Sequence, residues 1–157
     1  SDYQCPFCRI FATQTMAQIQ KDYIDAGKVQ FYFVDFPLAF HSMAHVSAQA
    51  ARCAGKLGTY WRMHDKMFAE QAESGSGTAE YSVDDLKAWA RQIGLDGPSF
   101  EACLDSGRFA DVVDASYDAV LDAGISGTPS FYINGQLLVG AQPYSAFRDA
   151  IDAALAG

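Results

Sequence analysis

The stretch that decides the fold is Ser1–Phe11, with the sequence SDYQCPFCRIF. It holds Cys5 and Cys8, separated by a proline and a phenylalanine. Apolar residues then recur at three-to-four spacing as far as Ala26, which predicts a helix that begins at the CysProPheCys motif. Gly27 suits the C-terminal end of this helix. The fold and the chemistry therefore both start from this motif.

A cysteine at the start of a helix is chemically activated. Unpaired backbone N–H groups and the helix dipole favour thiolate over thiol, so the pKa of Cys5 should fall and Cys5 should act as a nucleophile. Cys8 lies on the same helical face and can resolve a mixed disulfide. Pro6 stands early in the helix, where its missing N–H costs nothing. The motif predicts a redox pair in which Cys5 is the more exposed, attacking sulfur.

Two other interpretations of the motif stay open at this point. A zinc site needs two further ligands at suitable spacing. The remaining cysteines and histidines form no second compact pair: Cys53, Cys103, His41, His45 and His64. A purely structural disulfide gains little from so short a loop, because the entropic stabilisation grows with loop length. Redox exchange is the favoured interpretation, and no metal or other cofactor is expected.

Composition narrows the class of protein. The 157 residues suit one domain with room for an insertion, and a hydrophobic content of 50% allows a sizeable core. The net charge of −8 argues against binding of nucleic acid and against electrostatic docking on anionic lipid. No apolar run approaches the roughly 18 residues that a membrane span needs. Any signal peptide is expected to have been removed.

Beyond Gly27 the pattern predicts a strand, a run of helices and a terminal hairpin. Lys28–Phe36 is rich in β-branched and aromatic residues and is predicted to be a strand buried on both faces. Helices are predicted at 43–55, 58–72, after the N-cap pair Ser82 and Asp85, at 98–105 and at 108–123, with a loop at 73–78. Strands at 130–133 and 136–139 flank Asn134-Gly135, a type I′ turn signal, and Pro143 opens a last helix through Leu155.

A second element supports the redox interpretation. Thr128 and Pro129 stand directly before a predicted strand, where a proline that cannot donate to a sheet is tolerated. A cis bond there would turn the Thr128 backbone toward a neighbouring site, whereas a trans turn would not. Both possibilities stay open from this feature alone.

Several segments together resemble DsbA-like thiol–disulfide oxidoreductases. They are SDYQCPFC, DFPLAFH, the Ala-rich helix with YWRMHDKMF after it, GTPSFYING and GAQPYSAF. The resemblance runs over essentially the whole chain and implies an α/β thioredoxin fold with an inserted helical domain. It implies thioredoxin-fold parts at 1–42 and 124–157, around a helical insertion at 43–123. Of the first core strand only residues 1–4 remain, and trimming of the sequence is the expected reason.

The resemblance also implies roles for individual residues. The nucleophile and the resolving cysteine are Cys5 and Cys8, the redox-tuning dipeptide is Pro6 and Phe7, and the substrate-binding loop holds Thr128 and Pro129. Phe7 cannot donate a hydrogen bond to a Cys5 thiolate, as the histidine of strongly oxidising members can. We therefore expect a potential between about −270 mV for thioredoxin and about −120 mV for DsbA.

Cys53 and Cys103 lie in two different insertion helices. A disulfide between them would close a loop of about 50 residues, stabilise the fold by roughly 4 kcal/mol and suit an oxidising compartment. Some relatives are expected to carry an analogous bridge. Two buried free thiols are the alternative, and a second redox role for the pair is a further one.

The resulting hypothesis is a monomeric, periplasmic or otherwise extracytoplasmic dithiol oxidase of reduced exported proteins. A membrane quinone-linked oxidase of the DsbB or VKOR type would reoxidise it, as the family implies. A reductase, an isomerase, and a non-enzymatic metal-binding or chaperone module on the same fold are the alternatives.

Other side chains have predicted structural places. His41, after Pro37, is either a solvated loop or cap histidine or is close to the active site. Tyr3, Phe7 and Tyr144 are candidates for an apolar rim that receives unfolded substrates. Six aromatic residues are predicted to be core: Phe31, Phe33, Trp61, Phe68, Trp89 and Phe147.

Overall fold

The computed structural model describes residues 1–74 and 76–157. Helices make up most of this part of the chain, as the sequence predicts. After the helix that carries the CysProPheCys motif, α-helices span Ala44–Lys56, Tyr60–Glu70, Val83–Gln92, Gly97–Asp105, Ala110–Asp122 and Tyr144–Leu155. A 3-10 helix at Ala72–Ser74 enters the loop predicted at 73–78, in which Gly75 lies outside the described residues. The capping box predicted from Ser82 and Asp85 is confirmed.

The helix that carries the CysProPheCys motif changes its winding along its length. It is α-helical over Pro6–Ile10 and Met16–Ile19, and π-helical over Phe11–Thr15 and Gln20–Ile24. Beyond it Gly27 has a φ of 69°, a conformation that glycine adopts without a Cβ penalty. The predicted helix is thus confirmed, with Cys5 at its N-cap.

The predicted hairpin is confirmed in register and turn. β1 at Ser130–Ile133 pairs antiparallel with β2 at Gln136–Val139, and Ile133 stands opposite Gln136. Asn134 and Gly135 have φ values of 46° and 91°, both positive, as a type I′ turn requires. The pattern of apolar runs around an Asn-Gly pair was sufficient to predict this element because the hydrogen bonds that pair its two strands join residues close in the sequence.

The prediction of a strand at Lys28–Phe36 is wrong, because this segment forms no β-strand in the structure. A strand exists only as a hydrogen-bonded ladder with a neighbour. Here the Ser1 amino group donates to Val34 O at 2.8 Å, and Ser1 O accepts from Phe36 N at 2.8 Å. This is the pattern of a parallel pair that is one residue long. The segment has β-propensity, but among residues 1–74 and 76–157 it has a hydrogen-bonded strand partner only at this one position.

Burial along the same segment also differs from the prediction. Tyr32 and Val34 are 76% and 49% exposed, whereas Phe31 and Phe33 are partly buried, so only one face is covered. An apolar cleft of about 770 Å³ lies between this segment and the hairpin. Aromatic and aliphatic side chains dominate its walls, including Phe11, Phe31, Phe131 and Ile133.

Two apolar clusters hold the described residues together. The larger joins Tyr3, Cys5 and Cys8 to the middle helices, and the smaller joins the CysProPheCys helix to the last helix. The core prediction holds for Phe68, Trp89 and Phe147, and in part for Phe31 and Phe33. It is wrong for Trp61, near the start of its helix, which is 44% exposed although its ring contacts those of Phe31, Tyr60 and His64.

A disulfide joins Cys53 in Ala44–Lys56 to Cys103 in Gly97–Asp105, inside the larger cluster. The sequence left free thiols open as the alternative. The bond cross-links two helices that also pack against each other. Among the helices of the described residues, none has the length and apolar character needed to cross a membrane.

Candidate redox site

The two cysteines of the CysProPheCys motif lie at the start of its helix. Cys5 is the N-cap, with extended φ and ψ, and Pro6 follows at the first helical position. Both thiols are reduced and buried; Cys5 is 4% exposed and Cys8 1%. Cys5 is the more exposed sulfur, as predicted, but it is more enclosed than the sequence suggested.

The residue that covers Cys5 comes from the far end of the chain. The bond between Thr128 and Pro129 is cis, and Cys5 Sγ lies 3.5 Å from Thr128 O. Pro129 O accepts a hydrogen bond from Gly140 N at 2.8 Å, which ties this loop to the end of the hairpin. The structure therefore brings together the two motifs that the sequence singled out, across 123 positions.

The surroundings of Cys5 favour its thiolate. Hydrogen bonds, first from the Cys8 thiol, then from the Thr128 side chain and last from the backbone of Cys8 and Phe7, outweigh the effect of burial and lower the pKa of Cys5 to about 6. A thiol with this pKa is largely ionised at neutral pH and is both a nucleophile and a good leaving group. The activation expected at a helix start is therefore present, with the partner cysteine as its largest source.

The surroundings of Cys8 have the opposite effect. Burial, followed by the hydrogen bond and the charge of Cys5, raises the pKa of Cys8 well above its usual range. The backbone N–H of Asp2 donates to Cys8 Sγ at 3.4 Å. One cysteine is thus held as a thiolate and the other as a thiol, the division of labour that an exchange centre needs.

We expect alkylation of Cys5 in the reduced protein to follow a titration with a midpoint near pH 6, since only the thiolate reacts. The rate constant with iodoacetamide, measured by mass spectrometry from pH 4 to 10, checks this. In Cys8→Ala the midpoint should move to higher pH, because the largest stabilising hydrogen bond is lost. An ordinary thiol midpoint of about 8.5 in the unchanged protein would contradict the activation of Cys5.

A buried pair of hydrogen-bonded side chains lies next to Cys8, and one of its members, Asp2, donates its backbone N–H to the Cys8 sulfur. Asp2 is 1% and His41 8% exposed, and His41 Nδ1 lies 2.7 Å from Asp2 Oδ2. Of the two places predicted for His41, the solvated loop position is therefore wrong. Sequence reasoning missed Asp2; the available signal was an acidic residue three positions before Cys5 in a segment otherwise dominated by the motif.

The predicted apolar rim is wrong in two of its three members. Tyr3 is 1% exposed and stacks on Phe33, so it belongs to the core. Tyr144 begins the last helix, and its hydroxyl donates to Asp22 Oδ2 near the C-terminal end of the CysProPheCys helix. Phe7 is 58% exposed beside the cysteines, and it alone of the three offers apolar surface there.

A metal centre finds no support in the geometry of residues 1–74 and 76–157. These residues contain no group of three or more histidine, cysteine or acidic side chains arranged to hold an ion. Of the two remaining histidines, His45 lies 2.9 Å from Asp114, and His64 is enclosed by aromatic rings such as those of Phe33 and Phe68.

Known proteins resemble this chain along its whole length. The thioredoxin family model matches residues 1–153. The chain is 28% identical over 160 residues to disulfide bond formation protein D of Bacillus subtilis, covering 99% of this chain and 70% of that protein. The crystal structure of oxidised BdbD from Bacillus subtilis has a TM-score of 0.88 at 28% identity, covering 100% of this chain and 85% of that one.

A further relative is much longer than this chain. The Na(+)/H(+) antiporter NhaA 1 of Salinispora arenicola is 30% identical over 157 residues, which cover 99% of this chain and 22% of the antiporter. The chain thus spans about a fifth of the length of this curated relative. The similarity concerns a part of that protein the size of one domain.

Proposed function

The chain belongs to the thioredoxin family and has a DsbA-like fold, and on that basis we propose that it is a dithiol oxidase that introduces disulfides into other proteins. In the oxidised protein, a substrate thiolate attacks Cys5 Sγ, the Cys5–Cys8 bond breaks and Cys8 leaves as a thiolate. A second substrate thiolate then attacks the substrate sulfur of the mixed disulfide and expels Cys5 as a thiolate. The substrate loses two electrons, and the Cys5–Cys8 pair gains them.

The single observation that carries this proposal is the pairing of a low-pKa Cys5 with the Thr128 carbonyl at 3.5 Å. A stable Cys5 thiolate favours the reduced form of the pair, which is what makes a disulfide a strong oxidant. The Thr128 and Pro129 loop offers backbone groups beside the reacting sulfur, where an extended substrate segment can pair with them. Cys5, Cys8, Thr128 and Pro129 are the proposed catalytic and substrate-binding residues.

The proposed context follows from the family. Substrates would be reduced or unfolded exported proteins, and the oxidant that regenerates the disulfide would be a membrane quinone-linked oxidase of the DsbB or VKOR type. The chain would act as a monomer in an extracytoplasmic, oxidising compartment, where the Cys53–Cys103 disulfide is maintained. The division into 1–42, 43–123 and 124–157 stays a prediction.

Equilibration of the purified protein with glutathione redox buffers tests the direction of exchange. For an oxidase the Cys5–Cys8 pair should have a potential well above about −270 mV, the value of thioredoxin, and should oxidise a reduced, unfolded protein. A potential near or below that value would contradict the oxidase and favour the reductase. Stoichiometric metal that protects both thiols would instead support the metal-binding module.

We expect Phe7→His to make the protein more oxidising by about 30 mV, a tenfold change in the equilibrium constant. Phe7 stands between the cysteines and is 58% exposed, so a histidine there has room to donate to the Cys5 thiolate and to stabilise the reduced form. Leu121→His, at a position 45% exposed in Ala110–Asp122, is the matched control and should leave the potential unchanged. Equal shifts in both variants, or none in Phe7→His, would contradict the tuning role of Phe7.

A further inference from the structure

The peptide group that joins Ser1 to Asp2 contacts the site directly. Its carbonyl accepts a hydrogen bond from Phe36 N at 2.8 Å, and its N–H donates to Cys8 Sγ at 3.4 Å. Both polar ends of one peptide plane are therefore engaged. The first end is held by the extended segment before Pro37, and the second is aimed at the sulfur of the resolving cysteine.

The side chain of Asp2 anchors the same residue a second time. Its Oδ1 accepts from Gln4 N at 2.7 Å, and its Oδ2 accepts from Leu38 N at 2.9 Å and lies 2.7 Å from His41 Nδ1. A carboxylate that is 1% exposed is costly to bury unless it is paired and hydrogen-bonded, and here both oxygens have partners. The anchor joins the segment before the CysProPheCys helix to the loop after Pro37.

Cys8 Sγ, which accepts the hydrogen bond from Asp2 N–H, is the atom that must carry negative charge during disulfide exchange. When the disulfide opens at Cys5, Cys8 leaves as a thiolate in a buried position. Burial disfavours this thiolate, and an N–H donor aimed at the sulfur favours it. The strength of such a hydrogen bond depends on how closely the donor is held to the sulfur.

We propose that Asp2 and His41 are positioning residues that hold the Asp2 N–H against Cys8 Sγ and thereby stabilise the Cys8 thiolate. The importance of this for turnover rests on the proposed disulfide exchange, whereas the effect on Cys8 itself does not. Neither side chain touches the reacting sulfur atoms in the contacts described above. They act through the backbone of Asp2.

A simple charge effect would have the opposite sign, which makes the proposal testable. The titratable groups that act on Cys8 are the Cys5 thiolate and the amino group of Ser1, and the Asp2 carboxylate lies in the same residue as the N–H donor. If the carboxylate acted only through its charge, its removal would favour the Cys8 thiolate. If it acts by positioning the N–H, its removal disfavours that thiolate.

The experiment measures the thiol–thiolate equilibrium of Cys8 alone. In a Cys5→Ser background the 13Cβ shift of labelled Cys8 is followed against pH, with and without Asp2→Ala or His41→Leu. Each substitution should lower the thiolate to thiol ratio at a given pH about tenfold, the effect of losing one hydrogen bond to a charged group. His41→Asn, which places an amide nitrogen where Nδ1 lies, should restore most of the ratio.

The chain offers a matched control for the histidine. His45 lies 2.9 Å from Asp114 Oδ1 in an exposed pair, and His45→Leu should leave the titration of Cys8 unchanged. A higher thiolate ratio in Asp2→Ala, or equal ratios in His41→Leu and His41→Asn, would overturn the proposal even if all variants lose thermal stability. Should the unchanged protein fail to oxidise a reduced substrate, the proposed function fails, and the Cys8 titration still decides the positioning role.

Discussion

Cys5→Ser is expected to abolish disulfide exchange, and Cys8→Ser is expected to trap mixed disulfides with substrate. In the first variant no sulfur is left at the position that Thr128 covers, so no mixed disulfide can form. In the second variant the Cys5 thiolate remains, but Cys8, which can attack the mixed disulfide from within the protein and free a substrate that reacts slowly, is gone. The two outcomes differ in kind, and together they assign the order of attack.

Reduced, unfolded ribonuclease is a suitable substrate for this measurement. Glutathione disulfide is supplied as the oxidant: it converts Cys5 to a mixed disulfide with glutathione, and a ribonuclease thiolate then displaces glutathione as a thiolate. Non-reducing gels should then show a covalent complex with ribonuclease for Cys8→Ser and none for Cys5→Ser, and recovered nuclease activity should stay at the uncatalysed level in both. The double variant Cys53→Ala/Cys103→Ala is the control. The two cysteines that it removes are 50 positions apart in sequence and lie in two other helices. A covalent complex with Cys5→Ser, formed through Cys8, would contradict the assigned roles.

The second large effect concerns stability. Cys53→Ala/Cys103→Ala is expected to lower the free energy of unfolding by about 4 kcal/mol in the chain-entropy model. The reason is that the disulfide joins residues 50 positions apart and closes a long loop in the unfolded chain. Cys53 is 0% and Cys103 7% exposed, so lost packing adds to the effect. Guanidinium denaturation followed by circular dichroism measures it.

The single variants provide the control for this loss. Cys53→Ala and Cys103→Ala each remove the cross-link completely, so each should lose most of what the double variant loses. A double variant that loses less than about 1 kcal/mol would show that residual structure in the unfolded state, rather than loop closure, determines the balance. The pKa of Cys5 should be unchanged in all three, since the groups that lower it belong to Cys8, Thr128 and Phe7 and not to this disulfide.

Local sequence was a sufficient guide wherever local interactions form the element. The hairpin followed from Asn134-Gly135, the capping box from Ser82 and Asp85, and the start of the first helix from the CysProPheCys motif. Each depends on residues within a few positions of one another. Their hydrogen bonds and backbone angles depend on residues that are neighbours in the sequence.

The errors have a common physical cause. The strand predicted at Lys28–Phe36 would have required a neighbouring strand to pair with. Burial of Trp61 would have required more of the chain to pack on its side of the helix. Tyr3 was predicted to lie at the surface, although it is buried against Phe33 and Phe68. Propensity describes a residue alone, whereas pairing and burial depend on what another part of the chain brings to it. No local pattern carries that information.

The proposed redox pair could be predicted from the sequence, because a cysteine at a helix start and a second one on the same face are local features. The groups that surround the pair could not be predicted in this way and follow from the tertiary structure. It brought the Thr128 carbonyl to Cys5 across 123 positions and joined His41 to Asp2 across 39 positions. The reason is that the properties of a buried thiolate depend on the groups within hydrogen-bonding distance of it. Residues far apart in the sequence come within that distance only when the chain folds.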